Sequence, residues 1–435
     1  MLTSACYGAG ASVRLRLQML EERAQPSATA GIQLNSAVRP AGTDGASGGL
    51  SPAQVRHAYG FDRPTDDGAG QTIALVVAYD DPNIGQDLAT FDSAFGLPAP
   101  PKFTKAYVPG SPTDAGWAGE TALDVEWAHA IAPKANLLLV EARSATMADL
   151  LSAVNYARQY AGVSVVSMSW GGSETASLAA DNAYFTTPAG HQPVTFVAAA
   201  GDSGAGAEWP ASSPNVLAVG GTRLSVAPDG SYLSETAWRD GGGGFSRMFA
   251  APAYQSGVLT GHRGVPDVAY DADPQSGVAV FSSVPDDTGQ AGWMVVGGTS
   301  AGAPQWSALV ALANEERAAV GRPALGRAAD VLYSLPSRDF HDITTGGNGY
   351  LAGPGYDLAT GLGSPVADLL VPDLAGVGLP ATTPSTPPTS SASGTRGISS
   401  PVWYLPGFGW GFGGMFGWNS GGWGWSSGAG WYAGW

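Results

Sequence analysis

The sequence predicts an α/β fold, a doubly wound and mostly parallel sheet flanked by helices. Three observations carry this expectation. Short, apolar, β-branched runs recur through residues 51–375, as in strands covered on both faces. Helical patterns lie between several of them. Two glycine-rich segments, around Asp202 and Ser300, fall at the carboxyl ends of strands, where such sheets place working groups.

Strands are expected at 72–78, 135–141, 163–169, 194–199 and 216–219, with helices at 84–95, 120–131, 147–160 and 177–185. Around this domain the composition changes. Residues 1–50 are rich in Ala, Gly and Ser and read as poorly ordered. Residues 376–401 are a Pro/Ser/Thr linker, and residues 402–435 form an uncharged tail of glycine and aromatics holding seven of the fourteen tryptophans. A disordered, sticky tail is expected there, with glycan or surface contact by aromatic stacking as the functional reading.

Composition excludes some functions. With 36 Asp+Glu against 20 Lys+Arg the net charge is −16. No basic face is available to neutralise phosphates, so nucleic acid is not an expected partner. The excess of carboxylates suits low pH, where protonation relieves self-repulsion. Cys6 is the single cysteine, so no intrachain disulfide forms. No run of eighteen apolar residues marks a spanning helix, and residues 1–30, with Arg14, Arg16, Glu21, Glu22 and Arg23, hold no clear signal peptide.

Ser300 is the first candidate for chemistry. It lies in GGTSAGAP, between an apolar strand end and a long helical pattern. At such a turn a hydroxyl can face outward, and the helix N-terminus favours developing negative charge. The same residue would also serve as a simple N-cap. GTSAG fits the nucleophile elbow of α/β-hydrolases, GDSGAG resembles a chymotrypsin-type nucleophile loop, and GTSAGAP a subtilisin-type turn. The base separates these readings. The five histidines are His57, His129, His191, His262 and His341. Only His341 follows Ser300, so an esterase or lipase with Ser300, His341 and Asp330 or Asp339 is the alternative.

If the base is not histidine it is a carboxylate, and GETALDVEWAHAI supplies a pair. Glu120 and Asp124 stand i, i+4 on one helix face. At roughly 100° per residue both fall within the apolar stripe of Leu123, Trp127 and Ile131. Glu126 and His129 fall on the other side, where solvent is expected. Two close, partly buried carboxylates cannot both ionise cheaply, so the pair shares a proton. It can then take a proton from Ser300 and return it to a leaving amine. A solvated pair at a helix N-terminus is the bland reading.

The ordered set GE-x-x-LD, SMSWG, AAAGDSG, GGGGFSRMF, RGVPDVAYDADP and GGTSAGAP resembles the sedolisins, the serine-carboxyl peptidases, over residues 51–375. The resemblance implies a subtilisin-like fold and an acid-active endopeptidase. Ser300 would be the nucleophile, Glu120 the general base and then acid, and Asp124 its proton-sharing partner. Asp202 would be the oxyanion aspartate, which must be protonated to donate a hydrogen bond. Trp170 would line the substrate cleft, although a plain core tryptophan fits the motif as well. A calcium site is also implied, with Asp342 and Asp357 giving carboxylates and Ile343, Gly353 and Gly355 giving carbonyls. The expected partners are peptides or unfolded proteins, the expected state a secreted monomer. The resemblance also implies a long N-terminal prosegment, and the roughly 50 residues before the domain are expected to be too few to form that folded unit.

Overall fold

The computed structural model describes residues 32–34, 37–40, 48–62 and 67–377. These lie in the first of two compact units, Met1–Ala381. Most of the 1–50 segment, nearly all of the linker and the whole of the Gly/Trp tail lie outside the described residues.

The described residues begin with two short strands, β1 (Ile32–Leu34) and β2 (Ala37–Pro40), inside the segment read as poorly ordered. Helix α1 (Pro52–Tyr59) follows, closed at its start by a capping box of Ser51 and Gln54. The core of the domain is then laid down as β3 (Thr72–Ala78), α2 (Ile84–Phe95), β4 (Phe103–Tyr107), α3 (Ala115–Ile131), β5 (Asn136–Ala142), α4 (Met147–Gln159) and β6 (Val163–Met168). Next come β7 (Trp170–Ser173), β8 (Thr195–Ala199), β9 (Glu208–Trp209), β10 (Leu217–Val226) and β11 (Tyr232–Ala237). Four further strands, β12 (Gly244–Ala250), β13 (His262–Val265), β14 (Val268–Asp271) and β15 (Val278–Ser282), precede β16 (Gly292–Gly297). Helix α5 (Thr299–Ala319) is followed by α6 (Ala329–Leu332), β17 (Phe340–His341), β18 (Ser364–Pro365) and α7 (Ala367–Ala375).

The main sheet has eight strands in the order β11-β10-β8-β6-β3-β5-β4, with β14 beside β10. All its pairings are parallel except β10–β11. Every residue of β3 and of β6 is buried, so both faces of the sheet are covered. From β3 the chain passes to the edge strand β4 and returns to β5, between the two, all on one side. It then crosses through α4 to β6 on the other, so the order reverses at β3. The carboxyl ends of β3, β6 and β8 therefore border the crevice where doubly wound sheets bind ligands.

Among the expected elements, two differ most from the sequence reading. Residues 177–185 form 3₁₀ turns over Ala176–Phe185, because ASLAADNAYF buries only Leu178 and Phe185 and has no continuous apolar face. β10 runs on to Val226, since Asp229–Gly230 turns the chain back into β11. Gly230 takes φ 87°, which favours glycine.

Candidate active site

β16 delivers the chain to Gly298, at φ 96° and ψ 161°, and α5 starts on the next residue. Ser300 is thus the second residue of a 21-residue helix, and it is fully buried. Gly302 lets that first turn lie against the sheet, where a Cβ would stand 2.8 Å from both Tyr270 and Val219. Pro304 has no N–H for the Ser300 carbonyl, which loosens the turn carrying the nucleophile candidate. Ser300 Oγ donates to the carbonyl of Ser169 at 3.3 Å.

α3 packs on α5 and brings the acid pair. Its N-terminus is fixed by Asp114, whose carboxylate accepts from Trp117 N–H at 3.1 Å. Glu120 is 1% exposed and Asp124 is 0% exposed, so neither is solvated. Burial, and then the nearby negative charge of Glu120, hold the Asp124 carboxyl well above the ordinary carboxylate range. A hydrogen bond from Ser169 Oγ to Asp124 Oδ1, at 2.6 Å, works against that rise. Ser169 thus touches Asp124 through its hydroxyl and Ser300 through its carbonyl. The sequence reading passed over it in favour of Trp170; its place at the end of a central strand was the available signal.

Asp202 stands three residues beyond β8. Its Oδ1 accepts from the N–H and the hydroxyl of Thr299, each at 2.8 Å, so it is tied to the first turn of α5. Burial pushes its carboxyl up to about 7, partly offset by the two Thr299 bonds. Oδ2 is buried and has no hydrogen-bond partner among the described residues. A proton there would make Asp202 a donor beside the Ser300 turn. The loop is braced by Ala205 N–H donating to Asn348 carbonyl at 2.7 Å and Gly204 N–H to Asp240 carbonyl at 2.8 Å. Trp170 is 0% exposed, its indole donating to the carbonyl of Val76 at 2.9 Å, so its ring packs as a core residue.

The solvent face expected for Glu126 and His129 does not exist. Both are fully buried, because α2 and β15 cover that side of α3. Glu126 Oε2 accepts from Phe281 N–H at 3.0 Å, and burial holds its carboxyl well above the usual range. His129 Nε2 lies 2.7 Å from the Pro98 carbonyl and 3.3 Å from Asp92. The helix is apolar almost all round, which in itself marks burial on every side.

No histidine hydrogen-bonds to Ser300 among the described residues. His341 stacks on Tyr232 with ring centroids 3.7 Å apart and planes 6° from parallel. Burial lowers its pKa to about 4. Asp339, two positions before it, is also buried, while Asp330 pairs with Arg327 at 2.9 Å.

The segment 342–357 folds back on itself. Both oxygens of Asp342 accept from Gly355 N–H, at 3.1 and 3.0 Å, and Asp357 Oδ2 accepts from Gly353 N–H at 2.9 Å. Asp357 Oδ1 caps the turn at Ala359 and Thr360, each at 2.8 Å. The carbonyls of Ile343, Gly353 and Gly355 accept no hydrogen bond among the described residues. Two carboxylates and unused carbonyls on one loop fit an oxygen-only cation site. No group of three or more His, Cys, Asp or Glu side chains is placed to hold a metal among the described residues, so carbonyls would have to complete the shell.

Comparison with known proteins gives this scaffold its class: the subtilase family model matches residues 114–328. Kumamolisin from Bacillus sp. (strain MN-32) is 40% identical over 362 residues, covering 73% of this chain and 62% of its own. Sedolisin from Pseudomonas sp. (strain 101) is 34% identical over 43% of this chain and 36% of its own. Human tripeptidyl-peptidase 1 is 33% identical over 40% and 36% respectively. A solved structure of Pseudomonas sedolisin, described as a serine-carboxyl proteinase complexed with two molecules of pseudo-iodotyrostatin, matches with a TM-score of 0.66 at 27% identity. It covers 76% of this chain and 99% of that one. The chain belongs to the sedolisin family. It spans about three-fifths or less of the length of these curated relatives. No described helix is long and apolar enough to cross a membrane.

Proposed function

We propose that this protein is an acid-active serine-carboxyl endopeptidase. The observation that carries the reading is the buried pair Glu120 and Asp124, joined to Ser300 through Ser169 with no imidazole in the chain of contacts. Ser300 Oγ attacks the scissile carbonyl carbon and gives its proton to Glu120, while Asp124 shares the charge. The oxyanion accepts from a protonated Asp202, with the Ser300 N–H at the open helix end as second donor. Glu120 then passes the proton to the departing amine, the C–N bond breaks, and water releases the acyl group from Ser300 by the reverse proton route. Because the Asp202 carboxyl is pushed up to about 7, its donor form prevails below that pH and is lost above it.

The similarity to Pseudomonas sedolisin, itself a serine-carboxyl proteinase, supports peptide bonds as the substrate. Internal cleavage is the mode proposed, and an acidic extracellular setting suits both the net charge and Asp202. The test is hydrolysis of an unfolded protein, and of a peptide blocked at its amino terminus, by the purified chain and by Glu120→Gln. The parent is expected to cut both, with kcat/KM falling as pH rises through about 7; Glu120→Gln should lose about 10²–10⁴-fold. Equal activity in Glu120→Gln overturns the reading, and failure on the blocked peptide alone limits it to removal of amino-terminal fragments.

We infer that Asp342, Asp357 and the carbonyls of Ile343, Gly353 and Gly355 hold calcium. The ion would neutralise two carboxylates and clamp the loop whose Asn348 braces the Asp202 turn. Chelation is expected to lower Tm by several degrees, as read by calorimetry; an unchanged Tm contradicts the site.

A further inference from the structure

Ser169 is the single residue between β6 and β7, and it is wholly buried. β6 is held on one edge by β3 and on the other by β8, so this residue directly follows a strand paired on both edges. Its hydroxyl donates to Asp124 at 2.6 Å and its carbonyl accepts from Ser300 at 3.3 Å. The proton route from Ser300 to Glu120 gives it no role, yet it touches both halves of the proposed machinery. We propose that Ser169 is a positioning residue that sets the register between the nucleophile and its acid pair, its hydroxyl fixing Asp124 and its carbonyl restraining Ser300. This rests on the peptidase reading.

The chemistry follows from hydrogen-bond direction. Asp124 Oδ1 accepts from Ser169, so a proton carried by Asp124 sits on Oδ2, which has no hydrogen-bond partner among the described residues. That oxygen is then the one left for exchange with Glu120. A donor at Oδ1 also favours the carboxylate form, opposing burial and the Glu120 charge. Without it Asp124 would hold its proton more tightly and the pair would lose its reversible character. A serine buried for packing alone would affect stability and nothing else.

Ser169→Ala removes the hydroxyl and keeps the backbone carbonyl, so it isolates the Asp124 contact. The experiment follows the Asp124 carboxyl carbon by NMR in a chain labelled at aspartate, assigned with Asp124→Asn, across acid pH. Ser169→Ala is expected to raise the Asp124 midpoint by about one pH unit or more. The acid limb of kcat/KM should move the same way, with KM nearly constant. Ser169→Thr, which keeps the hydroxyl, should restore both. If Ser169→Ala does not fold, Ser169→Cys, similar in volume and a weak donor, must still raise the midpoint. An unmoved midpoint in a folded variant overturns the proposal. A raised midpoint in a chain whose parent cleaves no peptide upholds the Ser169–Asp124 contact and overturns the peptidase reading alone.

Discussion

Helix α3 carries carboxylates on two opposite faces, and all are buried; only their partners differ. On the face toward α5, Asp124 has one hydroxyl donor and a like charge beside it. On the face toward α2 and β15, Glu126 receives a backbone N–H, Asp87 receives one from Ser283 at 2.9 Å, and Asp92 lies by His129. On the function proposed above, the first arrangement lets a proton move between two acids next to a hydroxyl. The second uses fixed donors to tie α2 and α3 to β15. Burial raises carboxyl pKa values on both faces, so a raised pKa by itself does not mark the chemistry. What separates the faces is access to a reacting group.

Substitution on the two faces gives the sharpest contrast. Asp124→Asn removes the proposed proton-sharing partner and is expected to cost about 10²–10⁴ in kcat at acid pH. Glu126→Gln, a near copy of the protonated acid, should leave kcat unchanged and stabilise the fold by about 1–3 kcal/mol at pH 7, where the native side chain is under pressure to ionise. Peptide kinetics and denaturant unfolding read the two effects, and a large kinetic loss in Glu126→Gln would erase the distinction.

A smaller effect belongs to the rim of α2 and β5. Asp81 is pushed up to about 6 and Glu141 to about 7, in both cases chiefly by burial, although Lys105 draws both down. Asp80 and Asp87 also face this group. Each raised carboxyl holds in the folded state a proton that the unfolded chain has already released. Stability is therefore full below about pH 4, and is lost as pH rises through 6 to 7, by roughly 1–3 kcal/mol for each group. Unfolding at a series of pH values measures this directly, and stability that climbs from pH 4 to 7 would contradict it.

Much of the scaffold was legible because strand and helix periods are local. The runs at 72–78 and 163–169 read as buried strands from their short, β-branched, apolar pattern, and the glycines at 298 and 302 announced the turn below Ser300. The wheel placed Glu120 and Asp124 together but assumed that α3 had a wet side. Its composition, apolar on nearly every face, argued otherwise. β4, the half-exposed edge strand, was missed because FTKAY alternates weakly and holds a lysine, as edge strands do.

By itself the sequence determined the order of strands and helices, the i, i+4 acidic pair and the serine at a helix start, since each depends on neighbours in the chain. Tertiary structure alone decided which carboxylates meet a hydroxyl and which meet a backbone amide. Asp124 and Ser169 are 45 positions apart, and Ser169 and Ser300 are 131 apart. Contacts of that kind follow from how the sheet stacks its strands, and no local period encodes them.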